Sequence, residues 1–213
     1  MLKPDFGAMA DRLSSRIEAT YWQPAKAHYA AYRTESGELA NEPAFAWDLA
    51  VQLTSLARAA RVQPKKYRPI LDRAIASMDR YWSKPGYSVL PGQDKPDRFY
   101  DDNAWICLAL LEAGTSNRKL LQRAEETYRF VFSGEDRALG GGIYWHEEPK
   151  TEKNTCINAP AIVAALELYE RTKKPAYLKD AQRLMAWIGR LQDADGLYFD
   201  NQKLDGTIDR TKW

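Results

Sequence analysis

The sequence predicts an all-α fold in which helical hairpins wind into two concentric layers. Three observations predict it. Seven segments carry helical periodicity and none carries a convincing strand alternation; amphipathic helices alternate with helices that are apolar nearly all round; and the links between them alternate short and long.

The helix cores fall near residues 7–20, 45–61, 67–82, 101–114, 119–133, 159–172 and 176–192. In the third, Tyr67, Ile70, Leu71, Ala74, Ile75, Met78 and Trp82 trace one stripe at helical spacing, leaving a wet face. Leu121, Ala124, Tyr128, Val131 and Phe132 do the same in the fifth, and Tyr177, Leu178, Ala181, Leu184, Met185, Ile188 and Leu191 in the seventh. The helices between them, "AFAWDLAVQL", "AWICLALL" and "APAIVAALEL", have no wet face and must lie inside. After each buried helix the link is short ("RVQPKK", "GTSN", "TKKP"), as tight antiparallel neighbours require. After each amphipathic helix it is long: residues 21–44, 83–100, 134–158 and 193–213, rich in Pro, Gly and aromatics. In a two-layer winding these long loops gather at the end where the buried helices start, which makes that end the working face.

Composition sets the outer limits. The 213 residues, 45% of them hydrophobic, suit a single domain over 1–213 with a sizeable core. Thirty-one Lys and Arg against 29 Asp and Glu, without like-charge blocks, offer no electrostatic match to nucleic acid. No apolar run approaches the ~20 residues that cross a bilayer, and "MLKPDFGAMADRL" lacks the apolar centre of a signal peptide, so the chain as written reads as cytoplasmic, or as secreted or periplasmic had an export signal been removed. Cys107 and Cys156 lie in apolar helical contexts and read as small buried thiols. His28 and His146, the only histidines, cannot alone furnish a zinc site, and neither a metal nor a cofactor is expected.

"FYDDNAW", residues 99–105, sits where the second long loop meets a buried helix. Asp is a favoured helix N-cap and is favoured in the first turn by the helix dipole, so capping is one reading of Asp101 and Asp102. Chemistry is the other. Neighbouring helical residues can hold their carboxyl groups roughly 5–6 Å apart, close to the about 5–5.5 Å of retaining glycosidases. In such a pair the helix N-terminus favours ionisation of one carboxyl while like-charge repulsion keeps the proton on the other.

Every long loop carries aromatics: Tyr21, Trp22, Tyr29 and Tyr32; Tyr87, Phe99 and Tyr100; Tyr144 and Trp145; Tyr198, Phe199 and Trp213. Flat amphipathic rings suit the apolar faces of sugars, although a single loop aromatic is more often an anchor. "LGGGIYWHEE" lacks the Lys-Ser or Lys-Thr of a phosphate loop, so Gly140 to Gly142 read as a tight turn. Asn158 reads as the N-cap of the helix that Pro160 opens, with a sugar contact as the other reading. The candidate substrate contacts around the aspartates are therefore Tyr100, Asn103, Tyr144, Trp145, Asn158 and Trp22.

"YDDNAW" resembles the signature of glycoside hydrolase family 76, the bacterial endo-α-1,6-mannanases and their fungal cell-wall relatives. The resemblance continues through "GGGIYW", "NAPAIVAALELYERTKKPAYLKDAQRLMAWI" and "DADGLYFDN" in the right order. It implies an (α/α)6 barrel, hydrolysis of α-1,6-linked mannan with retention, Asp101 as nucleophile and Asp102 as general acid/base. It also implies about twelve helices where this chain supplies seven, the tryptophan matching Trp213 leading into the next inner helix in relatives. An incomplete ring is therefore expected, with self-association or a complementary chain at its open edge. The competing readings are another enzyme on the same architecture, such as an uronyl hydrolase or a sugar epimerase, and a non-catalytic glycan-binding or structural half-barrel.

Overall fold

A computed structural model describes residues 5–115 and 117–212; the expectation that rests on Trp213 lies outside them. Among the described residues there are seven α-helices: Phe6–Tyr21 (α1), Ala46–Val62 (α2), Pro64–Asp79 (α3), Tyr100–Ala113 (α4), Arg118–Phe132 (α5), Thr155–Thr172 (α6) and Pro175–Ile188 (α7). Helix starts follow local chemistry. Asp5 caps α1 by accepting the Ala8 N–H at 2.9 Å, and Asn117 caps α5 through the N–H groups of Lys119 and Leu120. Pro64 and Pro175 open α3 and α7, where the missing N–H costs nothing.

The apolar helices α2, α4 and α6 pack side by side as an inner row, and α3, α5 and α7 lie against them as the outer layer. A single core runs through both, from Leu49, Leu53 and Leu56 of α2 through Ile106, Leu110 and Leu111 of α4 to Ile157, Ala161 and Leu168 of α6. The outer helices supply Tyr67, Leu71 and Met78, then Tyr128 and Val131, then Leu184 and Ile188. The arrangement is part of a two-layer helical barrel. The inner helices are not buried all round, as periodicity had suggested: Trp47 and Val51 on α2, Trp105 on α4, and Val163 and Leu166 on α6 stay exposed. Met185, counted in the apolar stripe of α7, is also exposed.

Strands are present where the sequence showed none. Trp22–Gln23 (β1) pairs with His28–Tyr29 (β2), and Trp82–Ser83 (β3) with Gly86–Tyr87 (β4). Glu152–Asn154 (β5), Phe199–Lys203 (β6) and Ile208–Lys212 (β7) form an antiparallel sheet in that order. Strands of two to five residues are too short to display a period of two, which is why they were missed.

The hairpins expose a repeat. Trp22 packs edge-on against Tyr29 at 5.0 Å, with the Arg73 guanidinium of α3 over its ring; Trp82 packs edge-on against Tyr87 at 4.9 Å, with Arg123 of α5 over its ring. The third unit keeps the cation and changes the ring: Arg183 of α7 lies over Phe132. Each outer helix thus clamps the start of the loop that leads to an inner helix. Those loops then join one another at the inner-helix N-termini. Ala46 donates to the Val89 carbonyl, Tyr100 to that of Trp145, and Phe99 bridges His146.

Candidate active site

Asp101 and Asp102 are the second and third residues of α4, inside its first turn. Neither is the N-cap, which is Phe99 and makes no side-chain cap; of the helix-end reading only the first-turn position favoured by the dipole holds. Both carboxyl groups sit at the positive end of an inner helix.

Their surroundings differ. Asp101 Oδ2 accepts the Trp145 indole N–H at 2.9 Å and faces the Cys156 thiol at 3.8 Å. Oδ1 is shielded and makes no hydrogen bond of normal geometry. Burial raises the Asp101 pKa above the ordinary carboxylate range, against the opposing pull of the Trp145 bond, the N–H groups of the first turn and the Cys156 thiol. Asp102 is 8% exposed and its raised pKa has no opposing contribution. Burial first, then the negative charges of Asp101, Asp48 and Asp97, push it up to about 7. The two carboxyls form a coupled pair in which the proton belongs on Asp102 and the charge on Asp101.

Of the other expected contacts, Trp145 alone reaches the pair; its ring stays 37% exposed, tilted against Phe99 at 4.9 Å. Tyr100 is buried, stacked on Phe130 at 4.9 Å, with Gly134 so close that any Cβ there would meet its ring at 2.7 Å. Tyr144 is buried and donates its hydroxyl to Asp136 at 3.1 Å. Trp22 is the clamped hairpin ring described above. Tyr100 and Tyr144 are framework, for the common reason that aromatic bulk beside a loop is usually core, whereas Trp22 is partly buried in its hairpin.

Asn103 and Asn158 are a matched pair of clamps. Asn103 Oδ1 accepts the Tyr87 N–H at 2.8 Å while Nδ2 donates to the Tyr87 and Phe99 carbonyls. Asn158 Oδ1 accepts the Ile143 N–H at 2.8 Å while Nδ2 donates to the Ile143 and Asn154 carbonyls. Both are fully buried with both Nδ2 donors used, so neither amide is accessible to a sugar. Asn158 is not an N-cap either. α6 begins at Thr155 after Asn154, and Pro160 lies inside the helix, because β5 and the Asn158 clamp order the turn upstream of the proline. Each clamp pins a loop backbone to the fourth residue of an inner helix, and Asn158 thereby holds the segment that carries Trp145. Asn158→Ala would leave the buried N–H and carbonyl of Ile143 unpaired and should destabilise the chain by about 3 kcal/mol, read by urea unfolding. A loss below ~1 kcal/mol would contradict the clamp.

Sequence reading missed three residues here. Cys156 is exposed rather than buried, and its thiol pKa is pushed up to about 12 by desolvation first and then by the charge of Asp101, so it stays protonated. Trp105 is half-exposed one helical turn beyond Asp101, a spacing that could have identified it. Asp48 is the third residue of α2, as Asp102 is of α4, and gave no signal because no neighbouring carboxylate marked it. Among the described residues no group of three or more His, Cys, Asp or Glu is arranged to hold a metal, and no helix is long and apolar enough to cross a membrane.

Residues 13–213 match the model of glycosyl hydrolase family 76. Among solved structures, a selenomethionine derivative of a GH76 alpha-mannanase of Bacteroides thetaiotaomicron is 28% identical with a TM-score of 0.88, covering 99% of this chain and 61% of that one. A family 76 glycoside hydrolase from a bovine strain of the same species is 27% identical with a TM-score of 0.85, covering 99% of this chain and 50% of that one. An alpha-1,6-mannanase of Salegentibacter sp. HEL1_6, inactive with two consecutive aspartates changed to asparagine and in complex with alpha-1,6-mannotriose, shares the fold at 23% identity and a TM-score of 0.79, over 97% of this chain and 59% of that one. A meiotically up-regulated protein of Schizosaccharomyces pombe is 28% identical over 161 residues, 67% of this chain and 36% of that protein. The chain therefore spans about three fifths or less of the length of these relatives.

Proposed function

The chain belongs to glycosyl hydrolase family 76, and from that premise we propose that it cleaves α-1,6-mannosidic linkages in mannan with retention of configuration. The observation that carries the reading is the unequal pair at the head of α4: Asp101 held by an indole N–H, Asp102 buried with its pKa near about 7. Asp101, ionised, attacks the anomeric carbon as Asp102 gives its proton to the departing glycosidic oxygen, which leaves a mannosyl ester on Asp101. Asp102, now charged, takes a proton from the incoming water, which displaces Asp101 and returns the α configuration. Half-exposed Trp145 and Trp105 offer the flat faces a sugar ring stacks on. The replacement of two consecutive aspartates in the inactive Salegentibacter mannanase, in complex with alpha-1,6-mannotriose, supports both the pair and the substrate class.

Proton NMR of the first product tests the stereochemistry. The account expects the α anomer to appear first and to mutarotate afterwards. Initial β product would mean an inverting site, with water rather than Asp101 as the attacking group.

We further propose that the open flank of the helical ring associates with a second copy or a complementary chain. Phe6, Met9 and Leu13 of α1 are 72%, 50% and 61% exposed, and Trp47 and Val51 of α2 border an apolar cleft of about 300 Å³ that Ile17 and Tyr21 of α1 also line. Monomers rarely leave contiguous apolar patches beyond a few hundred Å² in water. Sedimentation of the pure chain should therefore show self-association, with dye binding at low concentration. A dye-silent monomer would contradict it.

A further inference from the structure

Among the described residues, the most completely coordinated buried charge lies outside the aspartate pair. Lys153 on β5 is 0% exposed. Its ammonium reaches Asp136 Oδ1 at 2.7 Å, the Gly141 carbonyl at 2.8 Å and the Ala138 carbonyl at 2.9 Å, with the Asp136 carbonyl at 3.4 Å and the Tyr144 ring face at 4.5 Å. Three short acceptors match the three N–H donors of an ammonium.

The acceptors converge because the turn that carries them is bent into a shape few residues adopt. Leu139, Gly140, Gly141 and Gly142 have φ of 56°, 73°, 119° and 78°, four consecutive residues in the left-handed range. Gly142 is pressed so close to Trp187 that a Cβ would meet its ring at 2.5 Å. Such a turn gathers its carbonyl oxygens on one side, where they repel one another unless a cation sits among them. Lys153 supplies that cation. The strand leaving the turn runs straight into the site: Tyr144 bridges Lys153, and Trp145 donates its backbone N–H to the Glu152 carbonyl and its indole N–H to Asp101.

We propose that Lys153 is a positioning residue for Asp101, a built-in cation that holds the Gly-rich turn so that Trp145 presents its indole N–H to the carboxylate. The inference rests on the reading of Asp101 as nucleophile, but its test requires no turnover. Desolvation lowers the Lys153 pKa and the Asp136 bond opposes this, so the ion pair is held by geometry as well as charge. Asp102 and Cys156 also bear on Asp101, and Cys156 follows Lys153 by three residues at the start of α6, so Trp145 exchange is read beside the Asp101 titration to identify the route.

The experiment is indole N–H exchange by NMR on the nitrogen-15-labelled full chain, with the Asp101 carboxyl titrated by carbon-13 shift. In Lys153→Ala, exchange at Trp145, and at Trp187 which donates to the Leu139 carbonyl, should accelerate at least about tenfold, while Trp82 on the far hairpin stays unchanged. Asp101 should titrate at higher pH, because the Trp145 bond favours its charged form. n-Propylammonium, which replaces the atoms removed, should restore both. Unchanged Trp145 exchange and Asp101 titration in the folded variant would overturn the proposal, as would uniform acceleration of all indoles that propylammonium fails to reverse. Should Lys153→Ala fail to fold, Asp136→Asn, which keeps the lysine and weakens its hold, is expected to give the same local signature, and its absence there would overturn the proposal equally. Failure to cleave mannan leaves these readouts untouched, so the two readings fail separately.

Discussion

Asp101→Asn is expected to abolish turnover of every substrate, activated or not, by at least about 10⁴-fold, because the amide cannot attack the anomeric carbon and no other carboxylate stands in its place. The substitution is nearly isosteric, and its amide oxygen can still accept the Trp145 indole N–H, so stability should change by less than ~1 kcal/mol. That combination separates a chemical role from a structural one. Steady-state rates on an activated mannoside, with thermal unfolding alongside, check it. A variant with near-normal rates would remove Asp101 from the mechanism.

Asp102→Asn is expected to divide substrates by leaving group. Without a proton donor, natural mannan should be cleaved about 10²–10⁴-fold more slowly, whereas an activated aryl mannoside, whose leaving group departs unaided, should still form the glycosyl ester. The pH profile carries the sign. Asp102 acts as an acid only while protonated, so the parent rate falls as pH rises through about 7, where burial and the charge of Asp101 place its pKa. Asp101 acts only when ionised, so the rate also falls on the acid side, at a pH that burial moves upward. The alkaline limb should vanish in Asp102→Asn when the first step is measured with an activated substrate. Persistence of that limb would assign it to another group.

The helices were legible because amphipathic and apolar segments alternate over many turns, a signal long enough to survive local noise; α5 was placed within a residue at each end. Spacing alone left Asp101 and Asp102 open between helix-end and catalytic readings, and the resemblance of "YDDNAW" singled them out as a pair. What escaped was tertiary in origin. Asn158 looked like a cap since Asn commonly is one, and only the fold shows its amide bonded to the backbone of Ile143 in another loop. Trp22 and Tyr144 shared the aromatic composition of a sugar site, yet composition does not tell a ring on the wall of a cleft from one beneath Arg73 or above Lys153. Lys153 gave no signal, because a lysine one residue from Glu152 reads as solvated surface and its acceptors lie 12 to 17 residues away.

Incubation of the pure 213-residue chain with unbranched α-1,6-mannan, followed by separation of the soluble products, tests the central claim most directly. The account expects manno-oligosaccharides from the parent chain and none from Asp101→Asn. Binding of the polysaccharide without any product would contradict it, and would make this helical ring a glycan-binding module that keeps the aspartates without using them.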